Sequence, residues 1–178
     1  MGALIALRLS LAHPSRVKAL VLMASLATTG SPEAIAMMLE FRDAWVSTGA
    51  APSENIMNAA IVLWGGDPDV TGARAHRIKH DWVERHSGLE NVDAILQSVN
   101  GRDDIRGRLH EIKIPVLIVH GELDETWKLE EARIARDGLI NAEVRFKVIE
   151  GCGHLVLWIR DSEDVSEMIG DFLKEQMV

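Results

Sequence analysis

Ile114-Pro115-Val116-Leu117-Ile118-Val119-His120-Gly121-Glu122-Leu123-Asp124 is an apolar run that ends in a glycine turn and delivers a carboxylate. Its unbroken series of branched aliphatic side chains predicts a strand buried on both faces, the mark of a parallel sheet covered by helices. Pro115 suits only the first position of such a strand. Asp124 is thereby placed just past the carboxyl end of an interior strand, where open α/β sheets hold ligands and catalytic groups. The expected partner is His154, in Glu150-Gly151-Cys152-Gly153-His154, a second glycine-rich loop after a second strand.

Working outward, Ala142 to Ile149 alternates Val144, Phe146 and Val148 against Glu143, Arg145 and Lys147, which predicts a strand near the rim with Val144, Phe146 and Val148 on the buried face. Thr126 is the expected cap of a helix from Trp127 to Gly138, with Glu130 and Glu131 in its first turn. Val165, Met168, Ile169, Phe172 and Leu173 fall at helical spacing and predict a closing amphipathic helix. At the other end, Ala3 to His13 is a helix apolar nearly all round, expected to be buried on most sides. Pro14 ends it, and Val17 to Ala24 is a further buried strand.

The middle of the chain changes rhythm. Helices are expected over Pro32 to Trp45, with Ser31 as N-cap and Pro32 at the first helical position, and over Asn55 to Trp64, Ala73 to His86 and Val92 to Val99. A break at Gly65-Gly66-Asp67-Pro68-Asp69 separates two of them. Met37, Met38, Met57, Trp45, Trp64 and Trp82 give these helices adaptable apolar surface, serving to pack helix on core or to line an apolar pocket.

Length and composition exclude several classes of function. At 178 residues, 47% hydrophobic and 26% charged, the chain is sized for one globular unit with a sizeable core. No apolar stretch approaches the roughly 18 residues of a membrane span and no signal segment opens the chain, so no membrane partner and a cytoplasmic location are expected. One cysteine excludes an internal disulfide and a cysteine-based zinc site. A formal charge of −8, with no basic stripe to offset it, argues against nucleic acid.

Met1-Gly2-Ala3-Leu4-Ile5-Ala6-Leu7 followed by Ala12-His13-Pro14-Ser15-Arg16-Val17-Lys18-Ala19-Leu20-Val21-Leu22 resembles the stretch after the nucleophile in the α/β-hydrolase family. Ile114 to Asp124 resembles that family's acid strand and loop, and Glu150 to His154 its histidine loop. The resemblance implies an α/β fold: the C-terminal part of an α/β-hydrolase, a three-stranded, mainly parallel sheet with flanking helices and an inserted helical lid. The implied division is residues 1–25 (core helix and strand), 26–111 (lid) and 112–178 (C-terminal core). In the family the elbow reads Gly-x-Ser-x-Gly, a pattern that occurs nowhere in this sequence. Met1 and Gly2 match only the positions after the serine. The nucleophile is therefore expected to precede Met1, the oxyanion-hole N–H falls to Met1 itself, and this chain alone is expected to be inactive, as a fragment or as a shortened relative.

An acid followed by an imidazole forms the later two members of a Ser…Asp…His order. A carboxylate that accepts one imidazole N–H fixes the tautomer and stabilises the cation formed when the other nitrogen takes a proton. Asp124 and His154 fit those parts; the structural alternatives are a turn or cap carboxylate and a loop histidine bonded to backbone. The activity implied is hydrolysis of small esters, lactones or related carbonyl compounds without a cofactor, on a small apolar substrate; the alternative is a non-catalytic ligand-binding or dimerising module. Cys152 lies too near His154 in the chain for a nucleophile and is expected to fill the loop. His76 and His80 share a helix face with Glu84, but Arg74, Arg77, Lys79 and Arg85 surround them and no metal site is expected. Asp67-x-Asp69-x-Thr71-Gly72 starts like a calcium loop whose twelfth position would be Ile78, which donates no oxygen. Finally, the strand Val17 to Ala24 lacks one family neighbour, so a homodimer, or a partner chain supplying the missing strands, is expected along its open edge.

Overall fold

Among the described residues, three strands run parallel in one sheet, in the order β1 (Leu20–Met23), β2 (Val116–Gly121), β3 (Val144–Ile149). This computed structural model describes residues 2–25, 27–29, 31–47, 49, 51–65, 70–157 and 162–176. Every residue of β2 is buried, because it takes partners on both edges: Leu22 pairs with Ile118 on one side and Phe146 with Ile118 on the other. Pro115 stands just ahead of β2, and its carbonyl accepts the N–H of Leu20 at 2.9 Å. A proline at that point removes no donor the ladder needs.

Alternate side chains of β2 point into two separate cores. Val116 and Ile118 join Leu4 and Leu7 of α1 (Gly2–Ala12) and Ala132, Ala135 and Leu139 at α6 (Leu129–Gly138). Leu117 and Val119 face the other way, onto Val165 and Phe172 of α7 (Ser162–Glu175) and onto Cys152 and Val156. The result is helix, sheet and helix in three layers, the arrangement an unalternating apolar strand demands.

Four helices lie between β1 and β2 in sequence: α2 (Pro32–Ser47), α3 (Glu54–Gly65), α4 (Ala73–His86) and α5 (Leu89–Asn100). Ser31 caps α2 through its Oγ, which accepts the N–H of Ala34 at 3.2 Å. Arg42 of α2 binds Asp93 of α5 at 2.9 Å, and the buried Lys79 of α4 donates to Glu54 of α3 at 3.2 Å and to the Val70 carbonyl at 2.7 Å, so α2 is tied to α5 and α3 to α4. A 3-10 segment, Arg106–Glu111, leads back to the sheet, and the N–H of Ile105 just before it bonds the Ala27 carbonyl at 2.9 Å.

Several expectations are corrected. α1 is not buried on most sides: Leu4, Leu7 and Ser10 face the sheet, while Ile5 and Leu9 are exposed, since one sheet face covers one helix stripe. β1 is shorter than Val17 to Ala24, and a 3-10 turn at Pro14–Arg16 precedes it. Thr126 does not cap α6, which starts at Leu129 behind Lys128; the Thr126 hydroxyl has no partner among the described residues, and the Asp124 carboxylate receives the N–H groups of Thr126 and Trp127. Val148 and Leu173 lie exposed although the patterns place them inward: Val148 follows Val144 and Phe146 on the α6 face of β3, an edge strand among the described residues, and Leu173 lies on the outer side of α7. The break at 66–69 and the aspartates of the calcium-like loop lie outside the described residues.

Candidate active site

The site grows from the point where β2 ends. A side chain at Gly121 is impossible there: a Cβ would sit 2.1 Å from the Gly153 carbonyl oxygen and 2.4 Å from that of Cys152. Only glycine lets the two loops touch backbone to backbone. The contact is stitched by hydrogen bonds: Glu122 N–H to Ile149 at 3.0 Å, Leu123 N–H to Cys152 at 2.8 Å, and Gly151 N–H to the Glu122 carboxylate at 3.0 Å. Gly151 itself holds a φ of 65°, a left-handed turn that returns the chain toward β2.

The stitching brings Asp124 to His154. The Nδ1–H of His154 donates to Asp124 Oδ2 at 2.9 Å, and Asp124 Oδ1 accepts the N–H groups of Thr126 and Trp127, both at 2.9 Å. The carboxylate is wholly buried yet fully bonded, the condition under which a buried charge is tolerated. The His154 side chain stays 22% exposed, which leaves its Nε2 open to reactants.

A second imidazole, which the pattern reading passed over as part of the strand, borders the same carboxylate. His120, fully buried in β2, has Nε2 2.7 Å from the Trp127 carbonyl and 3.3 Å from Asp124 Oδ2. A carbonyl only accepts, so Nε2 carries the proton, and Nδ1 is left buried with no partner among the described residues. Burial pushes the His120 pKa below its ordinary value, against the pull of the Trp127 carbonyl and of Asp124. A neutral His120 clamps both Asp124 and the loop behind it.

Above this pair opens a cavity of about 580 Å³ bordered by Phe41, Trp45, Trp64, Trp82, Trp127 and His154. Its size is that of a small-ligand pocket. The aromatic rings pack on one another, Phe41 to Trp64 at 4.7 Å and Trp45 to Trp82 at 5.2 Å, and the Trp64 carbonyl accepts the N–H of Leu155 at 2.9 Å, which pins α3 to the histidine loop. Met38 also lines the cavity, whereas Met37 and Met57 are not among its lining residues.

A family model, serine aminopeptidase S33, matches residues 1–161. The chain belongs to this α/β-hydrolase family. It is 28% identical over 176 residues to a 2-hydroxy-6-oxononadienedioate/2-hydroxy-6-oxononatrienedioate hydrolase of Pseudomonas putida, covering 98% of this chain and 60% of that protein. A hydrolase of the same name from Paraburkholderia phymatum is 30% identical over 175 residues, covering 97% and 59%. The chain thus spans about 60% of the length of these relatives. Among solved structures, the fold matches an enol-lactonase from Burkholderia xenovorans LB400 (TM-score 0.78, 20% identity, 98% of this chain and 63% of that one). It also matches a thermophilic esterase from Thermogutta terrifontis (TM-score 0.77, 20% identity, 99% and 63%).

Other candidates of this α/β-hydrolase chain fall elsewhere. Met1 lies outside the described residues. Two serines that no Gly-x-Ser-x-Gly turn singles out lie away from His154 in the chain: the Ser10 hydroxyl is buried and donates to the Leu7 carbonyl inside α1, and Ser25 is buried beyond the end of β1. Cys152 is buried among Leu117, Val119 and Val156. His76 and His80 are exposed on α4, with His80 Nδ1 3.6 Å from Asp81. No helix of the described residues is long and apolar enough to cross a membrane.

Proposed function

We propose that the protein is a hydrolase of small esters, lactones or related carbonyl compounds in which Asp124 and His154 are the acid and base of a serine triad. The observation that carries this reading is the 2.9 Å bond between the two residues beneath an apolar cavity. His154 Nε2 takes the proton of the attacking hydroxyl and later returns it to the leaving group, while the buried carboxylate steadies the imidazolium between the two steps. The serine is not in this sequence as a Gly-x-Ser-x-Gly turn, and it is supplied from residues outside it, together with an oxyanion hole to which the N–H of Met1 contributes. Helices α2 to α5, within residues 26–111, serve as the lid that holds the substrate and keeps water out. No cofactor takes part. The enzyme works in the cytoplasm, and a second copy of the chain or a partner completes the sheet beside β1.

The names of the relatives support a hydrolase acting on carbonyl compounds, and so does the apolar lining of the cavity. A fusion tests it: the chain joined, ahead of Met1, to a family member's segment ending in its Gly-x-Ser turn. The folded fusion is expected to hydrolyse short p-nitrophenyl esters, and Asp124→Asn or His154→Gln to reduce turnover by about 10³–10⁴. A folded fusion that binds such esters without cleaving them supports instead a non-catalytic ligand-binding module.

A further inference from the structure

Buried polar groups at the cavity wall have protons to give. Trp64 Nε1 and Thr126 Oγ1 are buried with no hydrogen-bond partner among the described residues, and both residues line the cavity. Indole N–H only donates, and a hydroxyl has a proton to give. The backbone carbonyls of the two tryptophans nearest His154 are already taken, that of Trp64 by Leu155 N–H and that of Trp127 by His120.

Arg102 adds a charge to this set. It follows α5, lines the cavity, and has its guanidinium carbon 5.5 Å from the centre of the Trp127 ring. Its Nε–H bonds the Ser98 carbonyl at 3.2 Å, and among the described residues no carboxylate meets the remaining N–H groups. Burial presses its pKa down, and no neighbouring anion pushes back. Arg42, Arg106 and Arg108 have such partners in Asp93, Asp104 and Glu111, and Arg85, which lines the cavity without an ion pair among the described residues, is exposed rather than half-buried. The lining carboxylate, Asp81, sits instead 3.6 Å from His80. A half-buried guanidinium without a carboxylate partner among the described residues is complementary to an anion that brings two acceptor oxygens.

We propose that Arg102 is the specificity-determining residue of this cavity and that the substrate is a small carboxylic acid, its carboxylate on the Arg102 guanidinium and its reacting carbonyl at His154. This rests on the reading of the cavity as the substrate site. Trp127 borders both ends: its ring centre is 5.5 Å from the guanidinium carbon and 6.3 Å from the His154 ring centre. The apolar walls hold the carbon skeleton in between.

Tryptophan quenching of the purified chain at pH 8 tests this with two probes of equal shape, 3-phenylpropanoate and 3-phenylpropanamide. The acid is expected to bind about tenfold tighter or more, the worth of a hydrogen bond to a charged group. Arg102→Gln is expected to abolish that preference without weakening the amide. Arg102→Lys, which keeps the charge in place and guards against a misfolded glutamine variant, is expected to retain part of it. Equal affinity for acid and amide, or a preference that survives Arg102→Gln, overturns the proposal and leaves the cavity reading intact. Failure of both probes to bind overturns both.

Discussion

Nδ1 of His154 lies 2.9 Å from Oδ2 of Asp124, although thirty positions separate them in the chain. Neither side chain reaches the other by its own length. The loops meet because the backbone of Gly121 touches that of Cys152 and Gly153, and because β2 and β3 are neighbours in the sheet. The pair is a product of sheet order and of one missing Cβ.

Gly121→Ala is therefore expected to do more damage than its size suggests. The added carbon would stand against two carbonyl oxygens at 2.1 and 2.4 Å, neither able to rotate away. A loss of roughly 3 kcal/mol in denaturant melts is expected. Gly170→Ala is the contrast: it lies inside α7 with nothing within 4 Å, and should raise stability by about 0.5–1 kcal/mol.

His120 sets a pH dependence of stability. Its folded pKa is lowered from 6.5, chiefly by burial, so below pH 6.5 the unfolded chain binds a proton that the folded chain refuses. Stability is thus present above pH 6.5 and lost as pH falls toward the folded value, by up to about 1.4 kcal/mol per pH unit. Urea melts from pH 8 to pH 5 should show this loss, and His120→Asn should flatten it. Parallel slopes for the two proteins would remove His120 from the account.

How much of this the amino-acid order discloses depends on how local each signal is. β2 is legible because burial on both faces leaves an unbroken aliphatic run, and Asp124 and His154 because each sits in a glycine-rich loop directly after a strand. The exposed face of α1 is not legible, since Ile5 and Leu9 are as apolar as Leu4 and Leu7 and only the sheet decides which are covered. Thr126 looks like a cap, but α6 starts only at Leu129, and the turn before it is held by Asp124, which accepts the N–H groups of Thr126 and Trp127. His120 and Arg102 carry no spacing at all: one reads as an odd residue in a strand, the other as a loop cation, and only the tertiary fold sets them beside Asp124 and Trp127.

The outer edge of β1 is expected to associate. Among the described residues no strand pairs with it, and Lys18 is the charge nearest the apolar run Leu20 to Met23. Leu20 and Ala24 donate their N–H groups inward to Pro115 and Val119, so alternation turns those of Val21 and Met23 outward. Val21→Pro removes an outward donor and spares the inner pairing. Light scattering on a sizing column should find a dimer for the parent chain and a monomer for Val21→Pro; a cooperative monomer at micromolar concentration for the parent contradicts the idea.

The central claim, that Asp124 fixes His154 as a base, is tested most directly by nitrogen-15 spectroscopy of the imidazole rings in the chain at alkaline pH. A carboxylate 2.9 Å from Nδ1 holds the proton there and leaves Nε2 bare to accept one from a nucleophile. The prediction is a His154 ring protonated on Nδ1 with a slowly exchanging proton, lost in Asp124→Asn. A His154 ring protonated on Nε2 in the parent, unchanged by that substitution, would contradict the account.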